Sequence, residues 1–292
     1  MKIIVGKTSG FCYGVKNAVE NTEKELKKSE EKIYCLGELV HNKIVVDKLK
    51  EEGIEFIDDI KEAKGKTIIR AHGVEKNIYE EAKKRNIELV DLTCFNVLKI
   101  HDIVEDFSEK EYYIFLIGKK EHPEIIGTYS FAGKNCTIIS RKDEVNEEIK
   151  KLELSNLKKL LIISQTTYNL QVFNEIVEEV KKSLKDKEIV IEIKNTICYA
   201  TESRQKETEK ISKEVDAMII VGGKNSSNTI KLYEIAKKDC KNVTFIQSAE
   251  ELNDKEISKF EKIGIMAGAS TPQSSVDEVI EKLGGKALCE ER

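Results

Sequence analysis

The sequence predicts an α/β fold of three pseudo-repeated αβα lobes, each with a mostly parallel four-stranded sheet, arranged as a cloverleaf about one centre. Three observations lead there. Short apolar runs alternate with amphipathic helical stretches along the whole chain, the pattern of parallel strands covered by helices. A phrase of strand, cysteine and aromatic comes three times, as "KTSGFCYGV", "LVDLTCFNV" and "IEIKNTICY". An internal offset of 104 residues carries Cys94 onto Cys198, "IFLIG" onto "MIIVG", Cys136 onto Cys240 and "LLIISQT" onto "GIMAGAS". A fixed offset of this kind is the mark of a repeat.

The strands follow in order. "KIIVG" at 2–6 comes first and leads to Cys12. Lobe 1 then offers apolar runs at 33–37, 54–57, 67–70 and 88–92, and lobe 2 at 112–117, 136–140, 159–164 and 188–194. Lobe 3 offers only 217–222, 243–247 and 262–267. The run 2–6 stands before Cys12 as 88–92 stands before Cys94 and 188–194 before Cys198, each of these closing a lobe. Residues 2–6 are therefore expected to complete the third sheet, which would tie down the N-terminus. The expected boundaries are 14–95, 96–196 and 197–284 completed by 1–13, with a charged tail at 285–292. Helical spacing is clear in "NEIVEEVKKSLK" (174–185), and helices are also read at "NVLKIHDIVEDF" and "SSVDEVIEKL".

Composition narrows the class. The 292 residues are 40% hydrophobic, enough for one large core or several small ones. With 49 basic and 53 acidic residues the net charge is −4, which gives no drive toward nucleic acid or an anionic membrane. No apolar run is long enough to span a bilayer. The N-terminus "MKIIVGKTSG" is too short for a signal peptide, so a cytoplasmic protein is expected. Its seven cysteines are then expected to be buried, catalytic or metal-bound rather than a disulfide framework.

In parallel α/β sheets, ligands bind beyond the carboxyl ends of the strands, where helix N-termini offer free N–H groups. Those ends carry Cys12, Cys94, Cys198, His41, His72, His122 and Thr166. In lobe 3 they carry Ser226, Ser227 and Asn228 of "NSSN", and Ser270 of "AGASTP". Three well-separated cysteines suit a metal or a cluster. Structural zinc sites usually contain a close cysteine pair, absent here. A [4Fe–4S] cluster usually takes four thiolates, so three would leave one iron open. Spacing alone leaves open a cluster, zinc or three unrelated buried cysteines. The serines and Asn228 suit a phosphate, or serve only as helix caps. Glu124, after Pro123, either delivers protons from a buried position or is a first-turn glutamate favoured by the helix dipole. Cys35, Cys136 and Cys240 read as core residues, the last two just ahead of strands; Cys289 reads as exposed, and His101 as structural within a helix.

The motifs "GFCYGV", "GELVHN", "RAHGV", "DLTC", "HPEIIGT", "QTT", "CYAT–RQ", "GGKNSSNT" and "AGASTP" together resemble the 4-hydroxy-3-methylbut-2-enyl diphosphate reductases. That family closes the methylerythritol phosphate route to isoprenoids, and the likeness runs from about residue 3 to residue 283. The resemblance implies one [4Fe–4S] cluster per chain held by Cys12, Cys94 and Cys198, its fourth iron open to the substrate's alcohol oxygen. It implies that His41, His72, His122, Ser226, Ser227, Asn228 and Ser270 hold the diphosphate, and that Thr166 and Glu124 handle protons. It implies an iron–sulfur oxidoreductase that removes a hydroxyl as water, giving isopentenyl and dimethylallyl diphosphate, with ferredoxin or flavodoxin as electron donor. The chain departs from the family's pattern at Phe95–Asn96, where proline usually follows the cysteine, and at Lys119, often a histidine.

Two other classes compete. One is a non-catalytic zinc- or phosphate-binding protein on the same scaffold. The other is a hydrolase with a cysteine nucleophile, which leaves the threefold pattern unused. No Walker A or G-x-G-x-x-G run is present, which disfavours nucleotide enzymes.

Overall fold

The computed structural model describes residues 1–284, so the tail expected at 285–292, with Cys289, lies outside the described residues. Twelve strands and eleven α-helices alternate among the described residues. The chain opens with β1 (Lys2–Val5), α1 (Tyr13–Lys28), β2 (Ile33–Leu36), α2 (Lys43–Glu51), β3 (Ile54–Ile57), β4 (Thr67–Ile69), α3 (Lys76–Lys84) and β5 (Leu89–Asp91). It continues with α4 (Phe95–Glu109), β6 (Tyr113–Ile117), α5 (Pro123–Phe131), β7 (Cys136–Ile139), α6 (Val145–Lys150), β8 (Lys159–Ser164), α7 (Leu170–Leu184) and β9 (Val190–Lys194). It closes with α8 (Tyr199–Ser212), β10 (Ala217–Val221), α9 (Ser227–Asp239), β11 (Val243–Ile246), α10 (Asp254–Ile257), β12 (Lys262–Ala267) and α11 (Gln273–Lys282).

Three four-stranded sheets result, in the orders β3-β2-β4-β5, β7-β6-β8-β9 and β11-β10-β12-β1. Every described strand pair is parallel. The three orders are one topology, and β1 takes in its sheet the edge that β5 and β9 take in theirs. Lys2 to Val5 pair with Lys262 to Ile265, as the strand count predicts.

By contact density the chain divides into two compact units. One comprises residues 1–20, 40–52 and 199 onward, the other 21–39 and 53–198. In the first, the sheet is buried on both faces, because its strands are continuous apolar runs with side chains alternating between faces. Ile3, Ile219, Val221, Ile263 and Ile265 pack with Val276 and Val279 of α11. Ile4, Met218, Ile220 and Met266 pack with Ile211 of α8 and Leu232 and Ala236 of α9.

The second unit repeats the device. Phe115, Ile117, Leu160 and Ile162 pack with Phe173, Ile176, Val177 and Val180 of α7. Ile114, Leu116, Leu161 and Ile163 pack with Ile100 and Val104 of α4 and Ile125 of α5. Its two sheets are joined through α5: a Cβ on Gly127 would lie 3.1 Å from the Val74 carbonyl oxygen. No helix among the described residues is long and apolar enough to cross a membrane.

Ile3 is 1% exposed although it is the third residue of the chain. Ile3→Ala is expected to cost roughly 2–5 kcal/mol, as a buried core truncation does. Urea unfolding reads this directly; a loss below about 0.5 kcal/mol, the surface value, would refute β1 as a structural strand.

Candidate functional site

The sheet register sets where the polar strand-end residues fall. Leu36, Ile117 and Val221 end β2, β6 and β10, and five residues on stand His41, His122 and Ser226. The rungs Leu36–Ile69, Ile117–Ser164 and Val221–Ala267 pair these strands with the ends of β4, β8 and β12. Three residues beyond the latter ends stand His72, Thr167 and Ser270; two beyond stand Ala71, Thr166 and Ala269. The offset of 104 therefore slips by one here: Thr166 answers to Ala269, and Thr167 answers to Ser270. Thr167 falls outside the set read from the sequence, because a constant offset cannot follow a connection one residue shorter. The same register corrects Cys136, which lies within β7 opposite Ile114. Its counterpart, opposite Met218, is Val243, whereas Cys240 caps α9.

Each of the three cysteines is held by one and the same bond. The backbone N–H of Cys94 donates to Ala71 O, that of Cys198 to Thr166 O, and that of Cys12 to Ala269 O, all at 3.0 Å. Each cysteine directly precedes a helix, α4, α8 or α1, where the helix dipole favours an anionic ligand. All three are half-buried and outside any disulfide. Cys35, Cys136 and Cys240 are free and buried; burial pushes the Cys35 and Cys136 thiols up to about 12. Those two are inert core groups at neutral pH.

The second unit holds Cys94, Cys198, His72, His122, Glu124 and Thr166. His122 caps α5, its Nδ1 accepting the Glu124 N–H at 3.2 Å. An acceptor Nδ1 puts the proton of the neutral ring on Nε2. The His72 and His122 rings meet edge to face, centroids 5.5 Å apart. Pro123 opens the helix, so Glu124 falls in its first turn, 1% exposed. Its Oε1 accepts the Thr166 N–H at 2.6 Å, and its Oε2 lies 2.7 Å from Thr166 Oγ1. Burial pushes the Glu124 carboxyl up to about 7, against the pull of the Thr166 bonds. His101 is buried and stacked on Phe131 with centroids 4.3 Å apart, and burial drives it down to about 4. Neutral and enclosed, it is a structural residue.

The first unit holds Cys12, His41, Ser226, Ser227, Asn228 and Ser270. Ser226 caps α9 by accepting the Thr229 N–H at 3.3 Å, and Ser227 and Asn228 form the first turn. The Asn228 side chain is 3% exposed, and neither its Oδ1 nor its Nδ2 has a hydrogen-bond partner. A buried amide left in that state is costly unless a ligand completes it. The His41 carbonyl accepts the Ser270 hydroxyl at 3.1 Å. A Cβ on Gly223 would stand 2.4 Å from that carbonyl, so only glycine lets the two loops meet.

The chain matches the family model described as LytB protein over residues 3–284. The 4-hydroxy-3-methylbut-2-enyl diphosphate reductase of Alkaliphilus oremlandii is 40% identical over 286 residues, spanning 97% of this chain and 99% of that protein. The solved E-1-hydroxy-2-methyl-but-2-enyl-4-diphosphate reductase from Plasmodium falciparum matches with a TM-score of 0.89 at 32% identity, covering 97% of this chain and 88% of that one. A solved (E)-4-hydroxy-3-methyl-but-2-enyl diphosphate reductase, described as the terminal enzyme of the non-mevalonate pathway, matches at 0.70 with 36% identity, covering 97% and 99%.

The Glu124 environment has a consequence for stability. A folded pKa of about 7 against an ordinary 4.5 means that the native state keeps a proton the unfolded chain has released. The carboxyl's contribution is therefore full below about pH 4.5 and is lost as pH rises through about 7. Glu124→Gln cannot ionise. It is expected to melt above the parent at about pH 8 and to lose that advantage toward about pH 5. Thermal midpoints of both proteins across this range check it, and a pH-independent difference would refute the burial argument.

Proposed function

The chain belongs to the LytB family, and from that premise we propose that it reduces 4-hydroxy-3-methylbut-2-enyl diphosphate to isopentenyl and dimethylallyl diphosphate. It is an oxidoreductase, as its relatives are. In this reading the lobes are 14–95, 96–196 and 197–284 with 1–13, and Cys12, Cys94 and Cys198 hold one [4Fe–4S] cluster. The observation that supports this most is the repeated bond from each of these cysteines to the carbonyl two residues beyond a neighbouring strand. The donor set fits such a group: three half-buried thiols outside any disulfide, each at a helix start, apart from three buried ones. Bound there, a cluster would supply the electrons and Lewis-acid help for loss of the substrate's hydroxyl.

The remaining steps belong to the chain's own groups. The diphosphate takes the unpartnered Asn228 amide together with the first N–H groups of α9, Ser226, Ser227 and Ser270. His41, His72 and His122 face its charge, His122 with a donor on Nε2. Glu124 holds a proton near neutral pH and passes it through the Thr166 hydroxyl to the departing oxygen. With two electrons and two protons the C–O bond breaks: one proton leaves with the hydroxyl as water, and the other adds to either end of the allyl unit to give the two products. Thr166 keeps Glu124 oriented by its own N–H while its hydroxyl relays. A cytoplasmic location and an electron donor such as ferredoxin or flavodoxin belong to the same reading.

Serine at Cys12, Cys94 or Cys198 is expected to abolish both brown colour and turnover in anaerobically prepared protein, whereas Cys240→Ser keeps both. A colourless parent carrying zinc would sink the reading. Glu124→Gln should retain colour and substrate binding yet lose about 10² to 10⁴ in kcat, and His41→Ala should chiefly raise KM. Steady-state kinetics with a chemical reductant separates the two; normal kcat in Glu124→Gln would remove its catalytic role.

A further inference from the structure

The loop before Cys12 differs from those before the other two cysteines. Only residues 92–93 separate β5 from Cys94, and 195–197 separate β9 from Cys198, but 6–11 lie between β1 and Cys12. A longer connection has more freedom to lose before its cysteine is presented in one place.

One side of the loop is stitched to β12 and its extension at alternate residues. The Gly6 N–H donates to Ile265 O at 2.9 Å, the Ala267 N–H to Ser9 Oγ at 3.1 Å, and the Cys12 N–H to Ala269 O at 3.0 Å. The other side is held by α8. The Glu207 carboxylate accepts the Lys7 N–H at 2.8 Å, the Thr8 N–H at 2.9 Å and the Thr8 hydroxyl. Arg204, 4% exposed, donates through Nη2 to Gly10 O at 2.7 Å and through Nη1 to Ala200 O at 2.9 Å. Gly10 has φ +95°, in the left-handed region, and a Cβ at Gly6 would stand 2.0 Å from Met266 Sδ of β12 and 3.2 Å from Glu207 Oε2 of α8. The loop is shaped to both β12 and this helix.

We propose that Glu207 and Arg204 are positioning residues that clamp residues 7–10 and thereby fix the place of the Cys12 thiol. The role gives a physical reason for the arginine of the "CYAT–RQ" motif, which the proposed chemistry leaves unused. It rests on the proposed function only in that Cys12 is taken as a ligand; the clamp itself concerns the chain alone.

The test labels the full-length chain, purified without iron reconstitution, with iodoacetamide and reads each cysteine by mass spectrometry. Glu207→Gln is expected to raise the Cys12 rate about tenfold, the scale of one charge-assisted hydrogen bond lost from a local opening. Cys94 and the buried Cys35 should keep the parent's rates. Thr8→Val, which removes only the hydroxyl, should raise the Cys12 rate less, and it decides the matter should Glu207→Gln release Cys35 by unfolding. Unchanged Cys12 labelling in Thr8→Val and in a folded Glu207→Gln overturns the clamp. After reconstitution, the same variants should yield iron to a chelator about tenfold faster than the parent. A parent that takes up no iron would sink the cluster reading and leave the labelling result standing.

Discussion

A single backbone hydrogen bond, made three times, organises the rest of the structure. A cysteine N–H can reach the carbonyl of Ala71, Thr166 or Ala269 only if its own strand lies beside β4, β8 or β12 in parallel register. That requirement explains why β1 must travel from the start of the chain to the last sheet. It also explains why each thiol ends at a helix start rather than within a strand. Parallel sheets present all their strand ends on one edge, so the same geometry that fixes the thiols brings the polar loop residues of each unit to the matching edge.

Thr166 makes three of the contacts that shape this edge. Its carbonyl anchors Cys198, its N–H holds one oxygen of Glu124, and its hydroxyl meets the other. The same burial that lifts the Glu124 carboxyl makes these bonds strong, because no water competes for them. A carboxyl that ionises near neutral pH suits a group asked both to give and to regain protons. The opposite treatment falls on His101, which burial holds neutral and which packs beneath Gly73 with 3.1 Å between its Cε1 and a Cβ built there.

Most of the fold was legible in the residues. Strands of unbroken apolar residues, spaced by amphipathic helices, leave few alternatives to a parallel sheet. The strand count placed β1 in the third sheet, as its pairing with β12 bears out. Constant spacing misled where loops differ in length. Cys136 and Cys240 share a sequence offset but not a rung, because β11 begins three residues beyond Cys240 whereas β7 begins at Cys136 itself. Periodicity constrains strands, which must register with neighbours; it does not constrain the connections between them.

The sequence by itself determined the fold class, the threefold repeat and the set of thiols, imidazoles and hydroxyls at strand ends. These follow from side-chain chemistry and from periods of two and 3.6 residues that local backbone geometry imposes. Only the tertiary structure decided that Glu124 is sealed against Thr166 rather than a solvated first-turn residue, since burial depends on what packs over it. Only the tertiary structure aligned Thr167 with His72 and Ser270, and only it brought Glu207 and Arg204 to residues 7–10. Those bonds join residues almost two hundred positions apart, and no local rule carries information across that separation.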